Sequence, residues 1–330
     1  MNKRTPLVTV VIPTYNREEF IATAIESVLA QTYPNIQLVV IDDGSTDNTK
    51  AIVEKYPKAE YILQTHGGQA AARNGGLKHS KGTIIASLDS DDRWEPNFLE
   101  FCVAKLEKDN LDFVFTNWNQ HLPDENRYSE FLSHEKYLKP FIAQGEKTWY
   151  DLSNEELRRV YLATCPSPSS STVIRKSSII SGWNEKIHVG DDWCMYVDMI
   201  IFNKECKAAF TMNRLWYKHV NNNNVFDGRV RNELLELFYI EDTLTFMNRY
   251  YDHLIKKERR VLKRRCIRGY VELAKHHAFR NRDFWKALML MHESMKISNP
   301  LTIVTVPDVI FSGFDRHRRD LLFKLQKKNA

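Results

Sequence analysis

Three carboxylates fall within four residues where an apolar run ends. Asp89, Asp91 and Asp92 follow Ile84-Ile85-Ala86-Ser87-Leu88. Carboxylate oxygens are hard ligands, suited to a Mg²⁺ or Mn²⁺ ion that also touches substrate phosphates. A second acidic pair, Asp42 and Asp43, ends another apolar run, and a third, Asp191 and Asp192, follows Gly190. Each set has an ordinary alternative. An acidic triplet can be a solvated turn, and D-x-D does not decide by itself. Asp191 and Asp192 can be first-turn carboxylates that complement a helix dipole. The surrounding elements have to break the tie.

Leu7-Val8-Thr9-Val10-Val11-Ile12 is continuous, apolar and β-branched, as in a central parallel strand. Pro13-Thr14-Tyr15-Asn16 breaks it, and Asn16 with Glu19 predicts a capping box for the next helix. That helix should bury Phe20, Ile21, Ala24, Ile25, Val28 and Leu29. Residues 36–41 form a second strand, and Ser45, Thr46 or Asp47 can cap the helix that follows. A third strand is expected at Ala59–Leu63, and Gly67-Gly68-Gln69 opens a helix through Leu77. Ser80-Lys81-Gly82 reads as a turn into the strand at 83–88. A helix from about Pro96 to Glu107 and a strand at 111–115 complete the alternation.

Alternating strands and helices from residue 7 to about 116 predict a parallel sheet covered on both faces. The C-terminal ends of such strands share one ligand crevice. Thr14 and Tyr15, Asp42 and Asp43, and the triplet at 89–92 then converge, which favours one site over separate solvated turns.

Residues 118–165 show no clean period. Pro166-Ser167-Pro168-Ser169-Ser170-Ser171 leads to a strand at 172–174, and a helix through Met195, Met199 and Ile200 follows Asp192. Leu215–Val220 is strand-like and ends in the loop Asn221-Asn222-Asn223-Asn224. A helix from about Arg229 to Tyr251 should bury Leu234, Leu235, Phe238, Leu244 and Phe246. Beyond it a helical hairpin turns near Asn281-Arg282-Asp283 and ends at Asn299-Pro300. No second copy supports a repeat array.

The 330 residues are 43% hydrophobic and 27% charged, ordinary for a globular protein with one large domain and an appendage. No apolar run reaches 18 residues, so none reads as a transmembrane helix. Met1–Pro6 is expected to carry no secretory signal. Five scattered cysteines without C-x-x-C argue for reduced thiols in the cytoplasm and against zinc. The net charge of +5 hides an asymmetry. Residues from 251 onward hold 19 Lys and Arg against 8 Asp and Glu, a net of +11, which leaves −6 for residues 1–250. A basic end on an acidic body suggests an anionic contact. It can be a solvated helical face. It can also attach to an anionic membrane surface, with Trp285, Phe311, Phe314, Leu321, Leu322 and Phe323 among the charges. Nucleic acid is not indicated, because no binding motif accompanies the charge.

The chain resembles the family 2 glycosyltransferases of the GT-A fold. The resemblance rests on Val11-Ile12-Pro13-Thr14-Tyr15-Asn16-Arg17, Asp42-Asp43-Gly44-Ser45-Thr46-Asp47, Ala72-Arg73-Asn74-Gly75-Gly76-Leu77, Leu88-Asp89-Ser90-Asp91-Asp92 and Gly190-Asp191-Asp192-Trp193. It implies an α/β class with a Rossmann-like nucleotide-sugar-binding sheet and a C-terminal helical region. The implied divisions are a donor half at 1–120, an acceptor half with the base at 121–225, and basic helices at 226–330. Pro13, Thr14 and Tyr15 would line the base pocket, and Asp43 would accept from the base imide or ribose. Arg73 and Ser90 would sit by the nucleotide. Asp89 would hold the ribose or the metal shell, Asp91 would ligate Mn²⁺ or Mg²⁺, and Asp92 is a second candidate ligand. His219 would contact the metal or the diphosphate, unless it is a structural strand-end histidine. Asp192 matches the catalytic base, and Asp191 stands where the family usually has Glu, leaving open which carboxylate reaches the acceptor.

These roles imply inverting transfer from a nucleotide-diphosphate sugar, uridine-based, to a glycan or lipid-linked acceptor, in a soluble protein or one at the inner face of the membrane. A sugar nucleotidyltransferase would carry a Gly-rich phosphate loop after the first strand, where this chain has Pro13-Thr14-Tyr15-Asn16. A nicotinamide oxidoreductase lacks its G-x-G-x-x-G for the same reason. A catalytically inactive nucleotide-sugar binder stays open and is separated by donor turnover. The oligomeric state, sugar and linkage are not legible.

Overall fold

A computed structural model describes residues 5–122, 127–219 and 229–328. The chain forms two compact units, 1–222 and 223–330. The Asn221–Asn224 loop and the side chains of Phe311, Phe314, Leu321, Leu322 and Phe323 lie outside the described residues.

The first unit is built on one sheet. Its early elements are β1 (Val8–Thr14), α1 (Ile21–Leu29), β2 (Ile36–Asp42), α2 (Thr49–Val53), β3 (Ala59–Leu63), α3 (Gln69–His79) and β4 (Ile84–Ser87). Next come β5 (Arg93–Trp94), α4 (Phe98–Lys108), β6 (Phe113–Leu122) and β7 (Arg127–Glu130). The remainder is α5 (Lys139–Ile142), β8 (Tyr150–Leu152), α6 (Asn154–Tyr161), β9 (Thr172–Arg175), α7 (Asp191–Phe202) and β10 (Ala208–Lys218). The strand order is β3-β2-β1-β4-β9-β6-β10-β5, with β7 on β6 and β8 on β10.

The first four strands in this order are parallel, as expected. The sheet as a whole is mixed, because β9 inserts antiparallel between β4 and β6. Every residue of β1 is buried, which matches its unbroken apolar run. β1 pairs with β2 on one side and β4 on the other, so the order reverses there. Thr14 lies opposite Asp42, and the Leu88 N–H donates to the Val11 carbonyl at 2.9 Å. The polar strand ends therefore meet at the switch point of the sheet. α3 packs close on β1 at Gly76, where an added Cβ would lie 2.2 Å from the Val11 side chain.

The expected Asn16–Glu19 capping box does not form. α1 starts at Ile21 without a side-chain cap, and Asn16 adopts a left-handed φ of 50°. Its Oδ1 accepts from the Thr46 N–H at 2.8 Å instead. Ser45 Oγ accepts from the Asn16 N–H at 2.9 Å, and Asp47 accepts from the Glu18 N–H at 3.0 Å. Local polar side chains thus tie the loops after β1 and β2 to each other rather than to the helix. Leu29 is 41% exposed, so it leaves the buried stripe of Ile21, Ala24, Ile25 and Val28. Ser153 and Glu156 do form a capping box, at the start of α6, in the stretch whose sequence showed no period.

The second unit holds α8 (Arg231–Leu234), α9 (Asp242–Tyr250), α10 (Lys256–His276) and α11 (Phe284–Lys328). The single helix expected at 229–251 is instead α8 and α9 joined by a wider turn at Leu235–Glu241. Leu235 and Phe246 are buried there, whereas Leu234, Phe238 and Leu244 are half-buried. The hairpin turns at Arg282, whose φ is 57°. Leu235, Ile240, Cys266, Leu273, Ala274, Ala287 and Leu290 form its core. α11 breaks at Ser298, next to Asn299-Pro300, and the Thr302 hydroxyl donates to the Ser294 carbonyl across the break at 3.0 Å. None of the five cysteines forms a disulfide. No helix among the described residues is long and apolar enough to cross a membrane.

Candidate active site

The turn after β4 is held from outside. The Asp89 N–H donates to Ser170 Oγ at 3.0 Å, and Trp94 Nε1 donates to the Ser170 carbonyl at 2.7 Å. The serine run before β9 therefore fixes where the acidic triplet points.

Arg73 of α3 is buried and bridges two of the acidic sets. Its Nη2 donates to Asp89 at 2.7 Å and its Nη1 to Asp191 at 2.8 Å. Gln69, one helical turn earlier, donates to the other Asp191 oxygen at 2.8 Å. Burial works against the Arg73 charge, but Asp89 and Asp191 outweigh it and hold the guanidinium above its usual range. Arg73 Nε is buried without a partner. Asp191 is itself buried, and burial raises its carboxyl although Arg73 pulls the other way.

Asp192 follows in the first turn of α7 and is half-buried. One oxygen accepts from the Trp193 N–H at 2.7 Å, the other from the Ser169 N–H at 3.2 Å. Burial and the neighbouring Asp191 push it up to about 7, against the pull of Arg73. A carboxylate titrating there is matched to taking a proton near neutral pH.

The sequence leaves Asp91 and Asp92 equivalent, but their surroundings differ. Asp92 is 3% exposed, and both its oxygens are engaged with β10 and the residue after it. Trp216 Nε1 donates to one at 2.9 Å and the His219 N–H to the other at 3.0 Å. Burial, with Asp91 and Asp89 adding repulsion, raises Asp92 well above the carboxylate range. It serves as a clasp that brings His219 beside the acidic turn. The His219 ring lies 5.0 Å from that of Phe20. Asp91 is paired loosely with Arg17, whose Nε lies 3.9 Å from Oδ2.

At the ends of β1 and β2, Thr14 is buried with an unpartnered hydroxyl, and Tyr15 is 42% exposed. Pro13 sits opposite Ile41 in the sheet. The Tyr15 and His66 rings lie tilted against each other, with centroids 4.3 Å apart. Asp43 is buried and takes donors from Gln64, Gly67 and Gly68. Ser90 is buried in the acidic turn.

The geometry thus joins Arg73, Asp89, Asp191 and Asp192 in one cluster, and holds His219 through Asp92 beside the turn that carries Asp91. Gln69, Ser169, Ser170, Trp216 and His66 were not singled out from the sequence. Gln69 was legible as the residue four before Arg73 on one helix face, but its partner is 122 positions away.

Among the described residues, no three His, Cys, Asp or Glu side chains could enclose a metal ion by themselves. Asp91 with the second oxygen of Asp89 is a partial set of hard donors. Such a set fits Mg²⁺ or Mn²⁺ that completes its coordination with phosphate oxygens and water.

The chain is similar to known proteins in sequence and in fold. The family model Glycosyl transferase family 2 matches residues 9–180. A hyaluronan synthase of Pasteurella multocida is 31% identical over 222 residues, which are 66% of this chain and 21% of that protein. The Escherichia coli UDP-Glc:alpha-D-GlcNAc-diphosphoundecaprenol beta-1,3-glucosyltransferase WfgD is 43% identical over 149 residues, 44% of this chain and 54% of that protein. The chain therefore spans about half or less of the length of these curated relatives. Among solved structures, S. aureus TarS 1-349 in complex with UDP-GlcNAc has a TM-score of 0.59 at 18% identity, covering 93% of this chain and 92% of that one. This similarity shows a shared GT-A fold. The family match extends from β1 into the serine-rich segment that steadies the acidic turn, and the chain belongs to glycosyl transferase family 2.

Proposed function

We propose that the chain transfers a sugar from a uridine-diphosphate sugar to a hydroxyl group of a glycan or lipid-linked acceptor, with inversion. The observation that carries this is the Arg73 bridge, which seats Asp191 and Asp89 with Asp192 next in the chain. Asp192 takes the acceptor hydroxyl proton. The oxygen attacks the anomeric carbon as the bond to the diphosphate breaks, and the electron pair leaves with the nucleotide. One base opposite the leaving group gives inversion. Asp89 and Asp91, with His219 adjacent, would hold Mn²⁺ or Mg²⁺, which would neutralise charge on the departing diphosphate. Names of relatives support the substrates: WfgD acts from UDP-Glc on a diphosphoundecaprenol-linked sugar, and TarS was solved with UDP-GlcNAc.

Thermal unfolding with UDP, dTDP and GDP, each with and without Mn²⁺, tests the donor side. A Mn²⁺-dependent rise with UDP is expected, lost in Asp91→Ala. At about 100 times the dissociation constant the ligand adds roughly 2.7 kcal/mol. No rise with any nucleotide would overturn the transferase reading.

A lipid-linked acceptor would bring the enzyme to the inner face of the membrane. α11 supports this: Phe284, Trp285, Leu288 and Met289 are 61–80% exposed on one face, while Ala287 and Leu290 are buried on the other. With the net +11 from residue 251 onward, this suits an anionic leaflet. Vesicles containing anionic lipid should sediment the protein in a salt-sensitive way, and Trp285→Glu with Leu288→Glu should abolish this. Equal binding to neutral vesicles would count against attachment by charge.

A further inference from the structure

The proposed base is tied to the crevice by a main-chain donor from outside its own helix. Asp192 Oδ1 accepts from the N–H of Trp193, the next residue in the chain, so that bond moves with α7. Oδ2 accepts from the Ser169 N–H at 3.2 Å, and this bond fixes the carboxylate against the rest of the site. Ser169 opens a short buried turn, Ser169–Ser171. Its neighbour Ser170 accepts from the Asp89 N–H at 3.0 Å. Consecutive residues of one turn therefore hold the base and the donor-side carboxylate, and the orientation of that turn sets one against the other.

Two indoles steady the turn. Trp94 Nε1 donates to the Ser170 carbonyl at 2.7 Å. Trp183 is buried and donates from Nε1 to Ser169 Oγ at 3.2 Å. A buried indole N–H needs an acceptor, and here the acceptor is the hydroxyl of the residue that binds Asp192. Trp183 is itself clamped by α3. Its N–H donates to Asn74 Oδ1 at 2.9 Å, and Asn74 Nδ2 donates to its carbonyl at 2.8 Å. The approach is close at Gly182, whose φ is 69°, because an added Cβ there would lie 2.5 Å from Asn74 Oδ1. Asn74 follows Arg73, so adjacent residues of α3 bridge the acidic groups and seat the indole.

We propose that Trp183 is a positioning residue for transfer: its indole N–H, through the Ser169 hydroxyl, fixes the main-chain donor that aims Asp192 at the acceptor hydroxyl. The proposal rests on the sugar-transfer reading above, with Asp192 as the base. Transfer depends on how the base is aimed, whereas the Asp89 half of the turn keeps its own indole, Trp94. Loss of the Trp183 N–H should therefore slow turnover without weakening donor binding.

UDP release by the full chain from UDP-glucose and UDP-N-acetylglucosamine in Mn²⁺, with water as the acceptor, tests it. Trp183→Phe keeps a buried aromatic ring but loses the donor, so kcat should fall about fivefold, the scale of one hydrogen bond, at unchanged KM. Ser169→Ala removes the acceptor of the same bond. It should match Trp183→Phe, and the double variant should lose no more than either. In the Asp192→Asn background Trp183→Phe should have no further effect, because no base is left to aim. A purely structural loss would persist in both backgrounds. In ¹⁵N-serine spectra the Ser169 amide proton should exchange faster in Trp183→Phe, a readout that needs no turnover. An unchanged kcat, a loss that persists in Asp192→Asn, or an unchanged Ser169 exchange rate would overturn the assignment. A wild type that releases no UDP, or an Asp192→Asn protein that releases it at the wild-type rate, would remove the transfer reading itself, a result distinct from the others.

Discussion

Replacing Asp192 with asparagine is expected to lower the transfer rate roughly 10²–10⁴-fold, the usual worth of a positioned general base, while donor affinity stays near wild type. In the proposed roles the donor contacts come from the ends of β1, β2 and β4, whereas Asp192 comes from the start of α7. Burial and Asp191 push its carboxyl up to about 7. The wild-type rate at limiting substrate should therefore rise with pH and level off above neutrality, and the variant should lose this limb. Equal losses in transfer and in donor binding would show that Asp192 holds the donor instead of the acceptor.

The same substitution carries a stability signature of opposite sign. In the unfolded chain an Asp titrates near 3.8; in the folded chain Asp192 titrates near 7. Between those values the folded state binds more protons, so stability falls as pH rises through this window. Asn cannot ionise. Asp192→Asn should melt above wild type at pH 8, and the gap should close as pH falls toward 4. A proposed base that destabilises the fold holding it fits the known trade between stability and activity. A gap independent of pH would mean that the carboxylate is not strained by burial.

Much of this site was legible because its signals are local. The runs at β1, β2 and β4 end abruptly in polar residues, and sheet topology puts such ends together. The unread parts depend on contacts that sequence spacing does not encode. β9 is a short apolar run like any other, and nothing in Thr172-Val173-Ile174 says that it lies antiparallel between β4 and β6. Asn16 and Glu19 have capping-box spacing, yet Thr46, 30 residues away, takes the Asn16 side chain. Ser153 and Glu156 have the same spacing and do cap, so their signal was present and passed over. Asp92 is set apart from Asp91 by Trp216 and His219, more than 120 positions later.

Removing the Arg73 guanidinium should be the most damaging single change to the fold. Arg73→Met keeps the aliphatic stem but leaves Asp191 buried without its charge partner and releases Asp89. Breaking a buried ion pair on one side costs about 3–5 kcal/mol, a large share of the 5–15 kcal/mol typical of a domain. Asp89 is partly open to solvent, so most of the cost falls on Asp191. Arg73→Lys keeps the charge but offers one ammonium where two carboxylates are spanned by a planar fork, and should fall in between. The pH dependence separates charge from packing. Burial already raises Asp191 while Arg73 pulls it down, so the variant leaves it higher still. Protonation then relieves the defect. Urea midpoints should show a large loss for Arg73→Met at pH 8 that shrinks toward pH 5. A loss of equal size at both values would assign Arg73 to packing alone and would remove the electrostatic bridge on which the site is built.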